Sequence, residues 1–247
     1  VSWVVACAVR CNGALLLKAH DDEKARIKPG GVLDALLDGH TEQAVADTLD
    51  GVPVWRLSMD LLKAPERREW TFDNPLLGEW FANHLRAAKP DLIHFQAGYL
   101  IGAAPMRAAA QAGVPVVLTL HDFSYICPRH TLLRGDETLC EQVPEDPAVC
   151  AWCYHYMWEG KHRKLDALTG GVYGSVARRL MPAAESAQIQ RRRAVLAEAL
   201  RTPAFVVAPS NYLAARIAPY VDGARLHHMR SAGMDLAPFE KIRSVRS

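Results

Sequence analysis

Short apolar runs, each halted by a turn signal, recur along the chain and predict buried strands joined by helices. The clearest is Val114–Leu120 (VPVVLTL), where Val116, Val117, Leu118 and Leu120 leave no polar face. That pattern marks a strand buried on both sides, as parallel sheets require. Upstream, 52–58 (VPVWRLS) alternates as a strand does, with Gly51 and Pro53 at its start. Positions 59–75 are polar and read as a loop. Leu76, Leu77, Trp80, Phe81 and Leu85 then recur at helical spacing over Leu76–Ala88, and Lys89-Pro90-Asp91 ends that helix. Leu92–Gln96 (LIHFQ) reads as a short buried strand. Gly98–Ala112, rich in Ala, reads as a helix closed by Gly113 at a C′-like position. Beyond the central strand, 123–160 reads as a long irregular loop. Helices follow over Leu165–Leu180 and Ala184–Leu200, then a strand over Ala204–Ala208 (AFVVA). A helix from Tyr212 to about Ala218 and a last strand over Ala224–Met229 complete the pattern. Residues 10–50 are polar, irregular and unassigned.

This β-α-β-α-β order predicts an α/β fold: a Rossmann-like parallel sheet flanked by helices, with right-handed crossovers and a long cysteine-containing loop insertion. Half of the 247 residues are hydrophobic, enough for a full core. The formal net charge of +2 gives no global argument for nucleic acid. No apolar run approaches the roughly 20 residues of a membrane-spanning helix. Trp3–Val9 lacks the flanks of a signal peptide, and the opening Val1 in place of Met suggests an incomplete N-terminus. Six cysteines are too few for a disulfide scaffold at this length, so a reducing, cytoplasmic setting is expected.

Candidate chemistry gathers at the strand ends. In open α/β sheets, ligands bind outside the carboxyl ends of the strands. His121 and Asp122 stand at such an end, as a titratable pair or as a capping Asp beside a satisfied His. His94 and Gln96 alternate at the end of the preceding strand and share one face. They can hydrogen-bond a hydroxylated ligand or pack as a polar strand terminus. Ser210 can reach the same edge, although helix capping explains it without a ligand.

Cys127, Cys140, Cys150 and Cys153 are a second candidate. The C-x-x-C pair suits two thiolates on one tetrahedral ion, and four thiolates would make the ion a structural zinc with no open position for catalysis. A disulfide and uncoordinated buried thiols are the alternatives. Between Tyr154 and Arg201, nine Lys/Arg face four Asp/Glu. That excess could attract phosphate groups or an anionic membrane, though a solvated helix surface is the simpler reading.

DLIHFQ (91–96), AGVPVVLTLHD (112–122), CPR (127–129), APSNYLAARI (208–217) and GMDLAPF (233–239) occur in an order that resembles the N-terminal half of family-4 retaining glycosyltransferases of the GT-B type. The resemblance spans about Gly51–Phe239. It implies an acceptor-side Rossmann-like domain over 51–239, with 1–50 an uncertain opening of the same domain and the cysteine loop at 123–160. Residues 240–247 would begin an interdomain linker, and a C-terminal donor domain would lie beyond them. It implies a nucleotide-sugar donor and a glycan or lipid-linked acceptor, with no catalytic metal and no nucleic acid. A contact by His121 with the transferred sugar is also implied, with Asp122 beside it. His94, Gln96, Phe123, Arg129 and Ser210 are the corresponding substrate-binding candidates. Peripheral association with the inner face of a membrane fits such an acceptor.

Two departures stand out. The family's paired glutamates belong to the second domain, so the same spacing at Glu137 and Glu145 is read as chance. The usual double-glycine loop has only Gly30-Gly31-Val32 as a remnant, before a helix that looks too short. A carbohydrate-binding or scaffold module, or another Rossmann-type nucleotide-sugar enzyme, are the rivals. The latter is weakened because no G-x-G-x-x-G follows a strand.

Overall fold

Strictly sequential strand order governs this fold. The computed structural model describes residues 7–10, 43–49, 52–58, 64–96, 98, 101–134, 137–155 and 160–229. Strands β4 (Leu92–Phe95), β5 (Val116–Thr119), β6 (Phe205–Ala208) and β7 (Leu226–His228) lie side by side in that order, all parallel. Ile93 faces Val116, and Leu118 faces Val206. β1 (Cys7–Arg10) pairs antiparallel with the outer edge of β4. A separate hairpin joins β2 (Gln43–Leu49) to β3 (Val52–Ser58). The strand expected at 52–58 is present. Its partner β2 falls in the stretch that had no assignment, although Asp50-Gly51 between them is a strong hairpin signal.

Strand order also explains the burial pattern. When parallel neighbours follow chain order, every right-handed crossover steps the same way, and its helix lands on the same face. Helices α2 (Pro75–Ala88), α3 (Ala104–Gln111), α7 (Ala183–Ala199) and α8 (Asn211–Ile217) accordingly share one core with Ile93, Phe95, Val116, Leu118, Val206 and Ala208. The alternate residues fare differently: Leu92 is 37% exposed and Phe205 51%, while Val117 and Val207 are half-buried. The expected burial on both faces therefore holds for one face only among the described residues. Phe81 and Phe95 meet in the core at 5.5 Å between ring centroids. Each such side chain, nearly withdrawn from water, contributes about 1.5–3 kcal/mol.

Local sequence sets the helix ends. Asn74, fully buried, caps α2 by accepting from the Leu76 and Leu77 amides at 3.0 and 3.1 Å. Lys89 closes it at φ 44°, before Pro90. Gly78 lets α2 approach α3, since a Cβ there would sit 2.8 Å from Ala104 Cβ. Gly113, at φ 67°, ends the α3 turn as its position predicted.

Three expectations need correction. The stretch at 59–75, expected as a loop, holds the short helix α1 (Arg67–Trp70). The long loop at 123–160 is irregular only to about 146. Asp146, accepting from the Ala148 amide at 2.9 Å, then starts α4 (Pro147–His155). The single helix expected over 165–180 is two, α5 (Gly160–Leu168) and α6 (Val172–Arg179). Gly170 and Gly171 break it, both at positive φ. Trp152 of α4 anchors this pair, with its ring edge-on to Tyr173 and His162. The Gly30-Gly31-Val32 remnant and the 233–239 motif lie outside the described residues. Among the described residues, no helix is long and apolar enough to cross a membrane.

Candidate functional site

Alternation along β4 sends Ile93 and Phe95 into the core and leaves His94 and Gln96 on the opposite side, at the carboxyl end of the sheet. Thr119, last in β5, is buried beside them. His94 Nε2 lies 2.8 Å from Thr119 Oγ1. The Gln96 amide nitrogen lies 3.1 Å from His94 Nδ1, and its oxygen lies 3.3 Å from His121 Nε2. One polarity satisfies every atom in this chain. His121 N–H donates to the Gln96 carbonyl, Gln96 N–H donates to His94 Nδ1, and His94 Nε2–H donates to Thr119. It requires a neutral His94. Burial, and then the charge of His121, push His94 below histidine's ordinary range. His121 itself is solvent-exposed, and among the described residues its side chain holds this one long hydrogen bond.

The loop after β5 is braced from inside. Asp122 accepts from the Ser124 amide at 2.8 Å, making a tight turn immediately past His121. Phe123 closes the loop from both ends: its carbonyl accepts from the Cys127 amide at 2.8 Å, and its own amide donates to the His130 carbonyl at 3.0 Å. From beneath, Arg192 of α7 donates to the Ser124 carbonyl and lies 5.9 Å from the Phe72 ring. Arg192 is 8% exposed, and burial pushes it down to about 10, so it stays charged at neutral pH. Ser124 is thus gripped through both backbone groups. Phe123 meets Tyr212 of α8 edge-on at 5.9 Å, which links the loop to the end of β6. Ser210, exposed at that end, caps α8 through a 3.1 Å bond from the Leu213 amide.

His94, Gln96, His121 and Asp122 therefore come together, with Phe123 and Ser210 at the flank. Arg129 does not join them. Its guanidinium donates to the Cys153 carbonyl at 3.5 Å and lines another cavity, of about 270 Å³. Cys127, Cys140, Cys150 and Cys153 all line that same cavity. None is in a disulfide. Cys127, Cys140 and Cys150 are buried, and burial pushes the Cys150 thiol up. Arg193 Nη2 donates to Cys150 Sγ at 3.1 Å, and the Cys140 thiol donates to the Gln142 carbonyl at 3.1 Å. Among the described residues, no three His, Cys, Asp or Glu side chains are already grouped to hold a metal ion.

Three residues escaped the sequence reading. Thr119 is indistinguishable from any strand threonine until its neighbour is known. Ser124 has a buried hydroxyl with no partner, packed against Gly98. Arg192 sits in the run Arg191-Arg192-Arg193, which reads as a solvated helix surface. Yet Arg192 is buried, and Arg193 holds the Pro144 and Glu145 carbonyls at 2.7 and 2.8 Å. Much of the local positive charge is therefore internal bracing.

A family model described as "Glycosyl transferase 4-like domain" matches residues 32–230, which include every strand-end residue above. No curated protein and no solved structure matches the chain.

Proposed function

Because the chain belongs to the glycosyl transferase 4-like family, we propose that it forms the acceptor-side domain of a retaining GT-B enzyme. The reaction moves a sugar from a nucleotide-sugar donor to a glycan or lipid-linked acceptor. The observation that carries this reading is the Thr119–His94–Gln96–His121 chain at the carboxyl ends of β4 and β5. It presents one exposed imidazole, aimed by a side chain that is itself fixed.

During transfer the bond from the anomeric carbon to the diphosphate oxygen breaks. A bond to the acceptor hydroxyl oxygen forms on the same face, and the hydroxyl proton leaves with the departing phosphate. His121 hydrogen-bonds the transferred sugar where positive charge grows, and Gln96 holds its ring. Asp122 acts through the turn it shapes. Phe123 and Ser210 border the acceptor, while Arg129 braces the cysteine loop. In this reading a second Rossmann-like domain holds the nucleotide. No metal takes part in the chemistry.

Peripheral contact with an anionic, cytoplasmic membrane face suits a lipid-linked acceptor. It is supported by Leu168, Val172 and Leu180, which are 84%, 63% and 75% exposed on and beside α5 and α6, near Lys164 and Arg179. The intact enzyme, assayed against a panel of nucleotide sugars and acceptors with product anomers read by NMR, tests the central reading. Retained anomeric configuration is expected. Inversion, or no transfer with any pair while His121→Ala leaves sugar binding unchanged, would overturn it.

A further inference from the structure

We propose that Cys127, Cys140, Cys150 and Cys153 form a structural tetrathiolate zinc site that ties the loop after β5 to α4. Three separate pieces of backbone deliver these thiols to one cavity of about 270 Å³. Cys127 ends the turn braced by Phe123, and Cys140 follows the narrow bridge between Leu133 and Leu139. Cys150 and Cys153 are three apart on α4, so they lie on one helix face. Sequence separation of up to 26 positions is spanned without any disulfide among them. Four of the chain's six cysteines line this one cavity.

The charges around the cavity point the same way. Arg129, Arg134 and Arg178 line it, with Asp166 as the one carboxylate among the described residues. Arg193 already donates to Cys150 Sγ, and Arg192 is buried within electrostatic reach of Cys127 and Cys150. Arg192 is the buried one among these, and a buried guanidinium gains from a nearby negative centre. Binding one Zn²⁺ with loss of four thiol protons creates a centre of net charge −2, which the surrounding guanidiniums offset, Arg193 through its N–H···S contact to Cys150. Second-shell donors of this kind are how protein sites hold and orient ligands. Closing the site needs the thiols to turn inward to about 2.3 Å from the ion. Among the described residues the thiols are not yet grouped around one point, so binding requires them to leave contacts such as the Cys140 bond to the Gln142 carbonyl. The Arg193 contact to Cys150 survives as a hydrogen bond to bound thiolate.

The site stands 3 residues beyond Ser124 in the chain and shares Arg192's neighbourhood, so the ion stiffens the loop that follows His121. It does no chemistry, because four thiolates fill the tetrahedron. The proposal does not depend on the transferase reading, since its test reads metal and not activity.

The experiment is elemental analysis of the full protein purified without added metal, together with Co²⁺ substitution. One zinc per chain and the visible bands of tetrahedral cobalt thiolate are expected. Cys150→Ser should lower the metal content by tenfold or more. Cys153→His, which still offers a ligand, should keep one ion with an altered cobalt spectrum, and Cys7→Ser and Cys11→Ser should keep it unaltered. If Cys150→Ser fails to fold, the wild-type and Cys153→His spectra still decide. Chelation should raise hydrogen exchange over 123–155 more than in β4 to β6. No zinc in the wild type, a Cys127–Cys140 or Cys150–Cys153 disulfide by mass spectrometry, or full metal content in Cys150→Ser would each overturn the site.

Discussion

Replacing His121 by Ala separates a ligand-facing residue from a structural one, and the structure sets both magnitudes. In stability terms little is removed. The side chain is exposed and its one hydrogen bond, to Gln96, is 3.3 Å long. A net loss below about 0.5 kcal/mol is expected, typical of surface substitutions. In the transition state more is lost. Removing one preorganised transition-state contact costs about 100-fold in turnover, or about 2.7 kcal/mol. His94→Ala is the matched control. His94 is half-buried and satisfies both Thr119 and Gln96, at 2.8 and 3.1 Å. Its loss strands a buried hydroxyl, which costs about 1–3 kcal/mol, and at this chain length each kcal/mol moves the melting point by about 2–4 °C. The assay is diphosphate release by the intact enzyme with its donor and acceptor, run beside thermal melting. His121→Ala should melt within about 2 °C of wild type and be nearly inactive. His94→Ala should melt several degrees lower. Full turnover in His121→Ala, or a melting loss as large as that of His94→Ala, would refute a cleft-facing role.

Three further outcomes are expected. His84, His94, His130 and His155 are each pushed below histidine's ordinary 6.5, by burial first in every case. The unfolded chain then binds more protons between the folded values and 6.5, so stability is full above about pH 6.5 and lost as pH falls through the folded values. Urea midpoints should therefore drop from pH 7.5 to pH 5.5, and equal midpoints would contradict neutral burial. Ser210→Ala should cost about 1 kcal/mol of stability, as loss of a helix cap does. Unchanged turnover in that variant would leave Ser210 a cap and no more. Leu168→Asp should weaken flotation with phosphatidylglycerol vesicles about tenfold, since burying a leucine is worth about 1.5–3 kcal/mol. Equal flotation on neutral vesicles, or dimerisation in place of binding, would reject the anionic surface.

The four parallel strands of the sheet were legible because their signal is local, while β1 at its edge was not read as a strand. A run such as Val116–Leu118 can only be withdrawn from water, and His121-Asp122, Lys89-Pro90 and Gly113 stop elements through their own backbone chemistry. The grouping of His94 with Gln96 also followed from strand alternation alone. What the chain does not carry locally was read less well. Gly170-Gly171 contains a helix break, but the partnership of Trp152 with His162 and Tyr173 that makes two helices worthwhile is a tertiary contact.

Only the tertiary structure decided which polar residues are internal. Arg192 sits between two other arginines and is outwardly like them, yet the packing of α7 under the β5 loop buries it and leaves Arg191 outside, paired with Glu69. Arg129 follows the same rule: it lies in a motif that suggests a substrate contact, while the fold turns it toward Cys153. The half-covered face of β5 depends on strand order across the whole sheet, a property no window of sequence contains. Composition and periodicity thus determine which segments must be buried. Which charges are buried with them depends on how distant segments pack, because a guanidinium leaves water only where folding supplies its carbonyls.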